Sequence, residues 1–133
     1  MSEKATGEEA VRYWWKMAQE SLESARREAE AESLPFAINR LYYAAFYAVS
    51  AALLERNIVF QRHSAVRSAL HKELIHSGEL GKEWGRVYEH LFEDRQGGDY
   101  FPFAPFSPVY VQEKIAQTEA FLDAVRPLIR SLP

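Results

Sequence analysis

The sequence predicts an all-α fold, a single-domain up-and-down bundle of about five helices over residues 1–133. Three observations carry that expectation. Apolar residues recur at steps of three and four along most of the chain, the period of a helix with one buried stripe. No segment alternates apolar and polar residues at period two, as a half-buried strand would. Helix-starting and helix-stopping residues punctuate the pattern throughout.

The elements follow in order. Thr6 and Glu9 have the spacing of a capping box, which leaves residues 1–7 as a tail and starts a long first helix. Its inward stripe is Val11, Trp14, Trp15, Ala18, Leu22 and Ala25, and its end, RREAEAES, is charged all round and projects into water. Ser33, with Pro35 in the first turn, opens a second helix that reads FAINRLYYAAFYAVSAALLERN. Ala44, Ala48 and Ala52 fall at four-residue steps there, a small-residue seam where another helix approaches closely. Tyr42, Tyr43, Phe46 and Tyr47 flank that seam.

Residues 57 to 63 connect to a third helix, SAVRSALHKELIHS, capped by Ser64 and ended by Gly78. A fourth helix over about residues 80 to 94 turns Trp84, Val87, Tyr88 and Leu91 inward, and Gly97 with Gly98 is expected to break it. Residues 96–108 then form a loop of glycines, prolines and aromatics that straps over the bundle. Ser107 and Pro108 open the last helix, with Val111, Ile115, Phe121, Leu122 and Val125 inward, and Pro127 kinks or ends it.

Bulk properties narrow the function. A hydrophobic fraction of 47% with 14% aromatics suits a packed domain, not a disordered segment. There is no cysteine, which removes disulfides and thiolate metal sites. The N-terminus has no basic, then apolar, leader pattern, and no uncharged run nears the ~18 residues of a membrane span. The expected setting is therefore cytoplasmic and away from membranes. The net charge of −3 is unevenly spread. Residues 34–72 hold Arg40, Arg56, Arg62, Arg67 and Lys72 against Glu55 alone, inside otherwise acidic flanks. Such a stretch either attracts an anionic ligand or pairs with the acidic helices around it.

Familiar catalytic templates are missing. HKELIH places His71 and His76 five residues apart, about 140° around a helix, so they do not share one ion as i,i+4 histidines do. No phosphate-cradling glycine loop, dinucleotide fingerprint or serine elbow occurs, and neither a metal nor a cofactor is expected. Three clusters remain. Asn39, Arg40, Tyr43 and Tyr47 sit near one another on the second helix, where a guanidinium beside hydroxyls suits a phosphate or carboxylate. Alternatively they are core packing or a buried ion pair. Arg56 and His63 flank a helix end, a cation and a base that metal-free RNA cleavage would need; the plainer role for His63 is a bond to local backbone. Last, EDRQGGDYFPF places Arg95 before two glycines that would fold Asp99 and Tyr100 back toward it, as a site or as a salt-bridged helix cap.

NRLYYAAFYAVSAALLERN, His63 with Ser64, and RQGGDY together resemble the HEPN domain family, over nearly the whole chain. The resemblance implies an all-α bundle, usually a homodimer, often paired with a minimal nucleotidyltransferase as a toxin–antitoxin system. Many such domains are metal-independent RNases whose motif is an arginine followed a few residues later by a histidine. In some pairs a nearby tyrosine is adenylylated by the partner. Here Arg95 matches the arginine, but Asp99 and Tyr100 stand where a histidine is expected. The expected function is thus nucleotide or RNA-phosphate binding beside a nucleotidyltransferase. Arg95, Arg40, Asn39 and Tyr43 would hold the ligand, Asp99 would orient Arg95 or a ribose hydroxyl, and Tyr100 would stack a base or accept a modification. The alternatives are a toxin ribonuclease using Arg95 with Asp99 or His63, and a structural dimer without ligand.

Overall fold

Alanine is the commonest residue of α2 (Leu34–Leu54), and its small side chains let neighbouring helices approach the axis closely. Ala37, Ala44, Ala45, Ala48, Ala51 and Ala52 are all fully buried. That is why α2 becomes the centre of the bundle, packed against α1, α3, α4 and α5. The computed structural model describes residues 3–59, 62–100 and 106–133, with side chains over 7–59, 62–97 and 106–133. Within them the order is α1 (Glu3–Glu30), α2, α3 (His63–Ala69) running on into a π-helical turn (Leu70–Ile75), α4 (Lys82–Tyr100), α5 (Pro108–Val125) and a 3-10 turn (Arg126–Leu128). The described residues contain no strand, and none of their helices is long and apolar enough to cross a membrane.

One apolar core joins the inward stripes. Val11, Trp15, Ala18, Leu22 and Ala25 of α1, Tyr88 and Leu91 of α4, and Val111, Phe121 and Val125 of α5 are all buried in one cluster with the alanine-rich α2. Each large side chain so buried stabilises the fold by about 1.5–3 kcal/mol. Trp14 leaves the predicted stripe: it is only half-buried and stacks on Tyr47 at 5.4 Å.

Several helix ends match the sequence expectation. Gly78 takes φ +81° where the third helix stops, a conformation that glycine adopts without strain. Ser107 Oγ accepts from the Tyr110 amide at 3.1 Å, with Pro108 in the first turn of α5. Arg126, Pro127 and Leu128 tighten into the 3-10 turn that closes it.

Other ends differ from expectation. α1 starts at Glu3, so Thr6 lies inside the helix and residues 3–7 are not a tail. Glu3, Lys4 and Ala5 are strong helix formers and extend the first turn upstream. Ser64 is not the cap of α3. Arg62 holds that position in extended backbone, and His63 is already helical. α4 begins at Lys82 and runs through Gly97 and Gly98 to Tyr100. Two glycines weaken a helix interior by roughly 1 kcal/mol each without forbidding it. Residues 96–100 therefore belong to α4, not to the expected loop. The rest of the aromatic strap, with Pro102, Phe103 and Pro105, lies outside the described residues.

Candidate functional site

Tyr42 and Tyr43 are neighbours on α2, and three elements meet on their rings. Tyr42 is fully buried, surrounded by Phe46, Tyr88, Phe92 and His63 at ring-centroid distances of 5.9–6.2 Å. His63, the first residue of α3, stacks on Phe46 at 4.2 Å and meets the edge of Tyr43 at 5.6 Å. Its Nδ1 is hydrogen-bonded to the Tyr42 hydroxyl at 3.2 Å. From α4 the Arg95 guanidinium lies 5.0 Å from the centre of the Tyr42 ring and 5.2 Å from that of Tyr43. Such cation–aromatic contacts contribute roughly 0.5–2 kcal/mol each.

The electrostatics follow from this packing. Burial and then the Arg95 charge lower the His63 pKa from its ordinary value, so the imidazole is neutral at pH 7. Burial raises the Tyr42 pKa, against the pull of the Tyr88 hydroxyl and of Arg95. The turn of α4 that carries Arg95 is fastened to α5 by the Tyr110 hydroxyl, which donates to Asp94 at 2.5 Å. Burial, reinforced by Asp94, lifts the Tyr110 pKa far above the usual phenol range, so this donor stays protonated.

The sequence-predicted residues fall into separate places. Asn39, Arg40, Tyr43 and Tyr47 line one open groove of about 630 Å³ together with Arg27 and Ser24 of α1. They are neither wholly core nor a buried ion pair. Arg56 does not join His63. It forms a two-pronged pair with Glu79 at 2.5 and 2.7 Å, near the C-terminal turn. His63 is not spent on local backbone, because α2 supplies its partner. Of the basic stretch, Arg56 and Arg67 pair with acidic residues, Arg67 gripping Glu89 while lying 4.0 Å over Phe92. His71 donates to the same Glu89 at 3.0 Å. Asp99 and Tyr100 are in the last turn of α4, so the expected glycine turn that would fold them back on Arg95 does not form; their side chains lie outside the described residues.

The meeting of Arg95 with His63, 32 positions apart, was not visible as a motif. Nor was the use of Trp14 and Phe46, whose spacing reads as ordinary core. Trp14, Tyr43, Phe46, Tyr47 and His63 form the aromatic walls of a second cavity, about 450 Å³, beside the cluster. No local signal announces it, because its walls come from α1, α2 and α3.

Comparison with known proteins agrees with the architecture. The HEPN domain model matches residues 11–128. A UPF0332 protein from Thermotoga maritima is 40% identical over 132 residues, 99% of this chain and 98% of that one. Two Methanocaldococcus jannaschii proteins named as candidate toxins also match. One is 36% identical over 62% of this chain and 56% of its own length. The other is 24% identical over 87% of this chain and 86% of its own length. With the family model spanning residues 11–128, and a relative so similar from end to end, the chain belongs to the HEPN domain family.

Proposed function

We propose that this chain is a toxin-type HEPN protein that binds RNA phosphate between Arg95 and His63 and cleaves the strand there without a metal. The observation that carries this reading is the convergence of a guanidinium and a neutral imidazole on Tyr42 and Tyr43. It supports the arginine–histidine chemistry of the family even though no histidine follows Arg95 in sequence. The names of the archaeal relatives support the toxin class.

The chemistry needs a base and a cation. In the tautomer whose Nδ1–H donates to the Tyr42 hydroxyl oxygen, His63 Nε2 carries the lone pair and takes the ribose 2′-hydroxyl proton. The 2′-oxygen bonds to phosphorus, and Arg95 stabilises the added negative charge. The P–O5′ bond breaks, and the leaving oxygen takes a proton from water or from the imidazolium. The products are a 2′,3′-cyclic phosphate and a 5′-hydroxyl. Tyr43 lies between this site and the Arg40 groove, where Asn39 and Arg40 would hold an adjoining phosphate or ribose. A minimal nucleotidyltransferase partner and a homodimer complete the reading, and co-purification with such a partner tests the first of these. End-group analysis of chelator-treated digests tests the chemistry: cyclic phosphate ends are expected, and 3′-hydroxyl ends contradict it.

A second reading is phosphate binding without cleavage. It is favoured by the single imidazole of this cluster among the described residues, since a second proton donor usually serves the leaving oxygen. Tight RNA binding with intact RNA after long incubation would select it.

A further inference from the structure

We infer that the cavity walled by Trp14, Tyr43, Phe46, Tyr47 and His63 receives one unpaired nucleobase of the strand whose phosphate the Arg95–His63 site holds. The inference rests on the phosphate-binding reading above and adds to it a base-recognition site. Four features of the cavity support it. Its volume of about 450 Å³ suits a small planar ligand. Five of its lining residues present aromatic rings, and stacking on such rings is how single-stranded nucleic acid is held without regard to sequence. Among the described residues lining it, none is Lys, Arg, Asp or Glu. A neutral base therefore fits where a phosphate does not.

The fourth feature is continuity. Tyr43 and His63 belong both to this cavity and to the Arg95 cluster. Tyr43 and Tyr47 also wall the neighbouring groove, whose charged residues are Arg27, Arg40 and Glu20. An aromatic cavity is thus set directly against a groove with an excess of positive charge, the alternation that a base and its flanking phosphates present. Ser50 Oγ donates to the Phe46 carbonyl at 2.8 Å, which leaves its oxygen lone pairs able to accept from an exocyclic amine.

The test uses a 2′-O-methyl RNA tetranucleotide, which cannot be cleaved through its 2′-oxygen, and four versions of it with each position in turn made abasic. Wild type should bind one abasic version about tenfold more weakly than the intact strand. Trp14→Ala should abolish that difference while retaining the affinity for the abasic strand. Should Trp14→Ala fail to fold, Ser50→Phe fills the cavity from within and should give the same result, with circular dichroism confirming helicity. Equal binding of all five strands by wild type overturns the base site while leaving the phosphate site standing. No binding of any strand overturns both. Unchanged discrimination in the folded variants places the base elsewhere and overturns the inference; so does a changed oligomeric state in its place, which assigns the cavity to a second copy of the chain.

Discussion

Gly97→Ala distinguishes a continuous α4 from a glycine turn, and with it how Arg95 is presented. In the structure Gly97 is inside α4, and a Cβ built there meets no heavy atom of the described residues within 4 Å. Only the backbone terms then change. Alanine in a helix interior is favoured over glycine by roughly 0.5–1 kcal/mol, chiefly because the unfolded chain loses freedom. For a domain of this size that raises the melting temperature by about 2–5 °C. Thermal unfolding followed by far-ultraviolet circular dichroism reads the shift, and urea unfolding at one temperature gives the free energy. Affinity for RNA should be unchanged, because the Arg95 turn is already helical and held by Asp94 and Tyr110. A fall in stability of about 1 kcal/mol or more would refute this reasoning, since alanine is strained only where the backbone is left-handed.

Three further outcomes follow. The folded pKa of His63 lies below its unfolded value, so its contribution to stability is complete above about pH 6.5. It is lost as the pH falls through that value toward the lowered folded pKa. Melting temperatures from pH 8 to 5 should therefore decline less in His63→Gln than in wild type, and Arg95→Met should raise the imidazole pKa seen by NMR titration. The Tyr88 hydroxyl is buried beside that of Tyr42 without the geometry of a full hydrogen bond among the described residues, so Tyr88→Phe should change stability by no more than about 1 kcal/mol in urea unfolding. Arg56→Ala removes a partly exposed pair with Glu79, so the melting temperature should barely move and RNA cleavage should persist.

How much of this was legible in the sequence depends on how local the signal is. The all-α class, the alanine seam of α2, the Ser107 cap and the Gly78 stop all come from residues within a few positions of one another, and they hold. Where two local rules compete, spacing alone does not rank them. Gly97 and Gly98 read as a breaker, yet a helix already propagated over four turns absorbs their cost. Thr6 read as a start, although the residues before it also favour helix. The site itself is the least local part. Arg95 and Tyr43 were visible singly, and His63 was visible beside Arg56, its neighbour in sequence but not in space. What joins His63 to Arg95 is the packing of α3 and α4 on adjacent tyrosines of α2, a tertiary fact that no spacing rule carries.

The most direct test of the assembled site is RNA cleavage in the presence of chelator by wild type, Arg95→Ala, His63→Gln and Arg56→Ala side by side. Cleavage that is abolished in the first two variants and retained in Arg56→Ala is the predicted result. Retention in His63→Gln, or loss in Arg56→Ala alone, would contradict the pairing of Arg95 with His63.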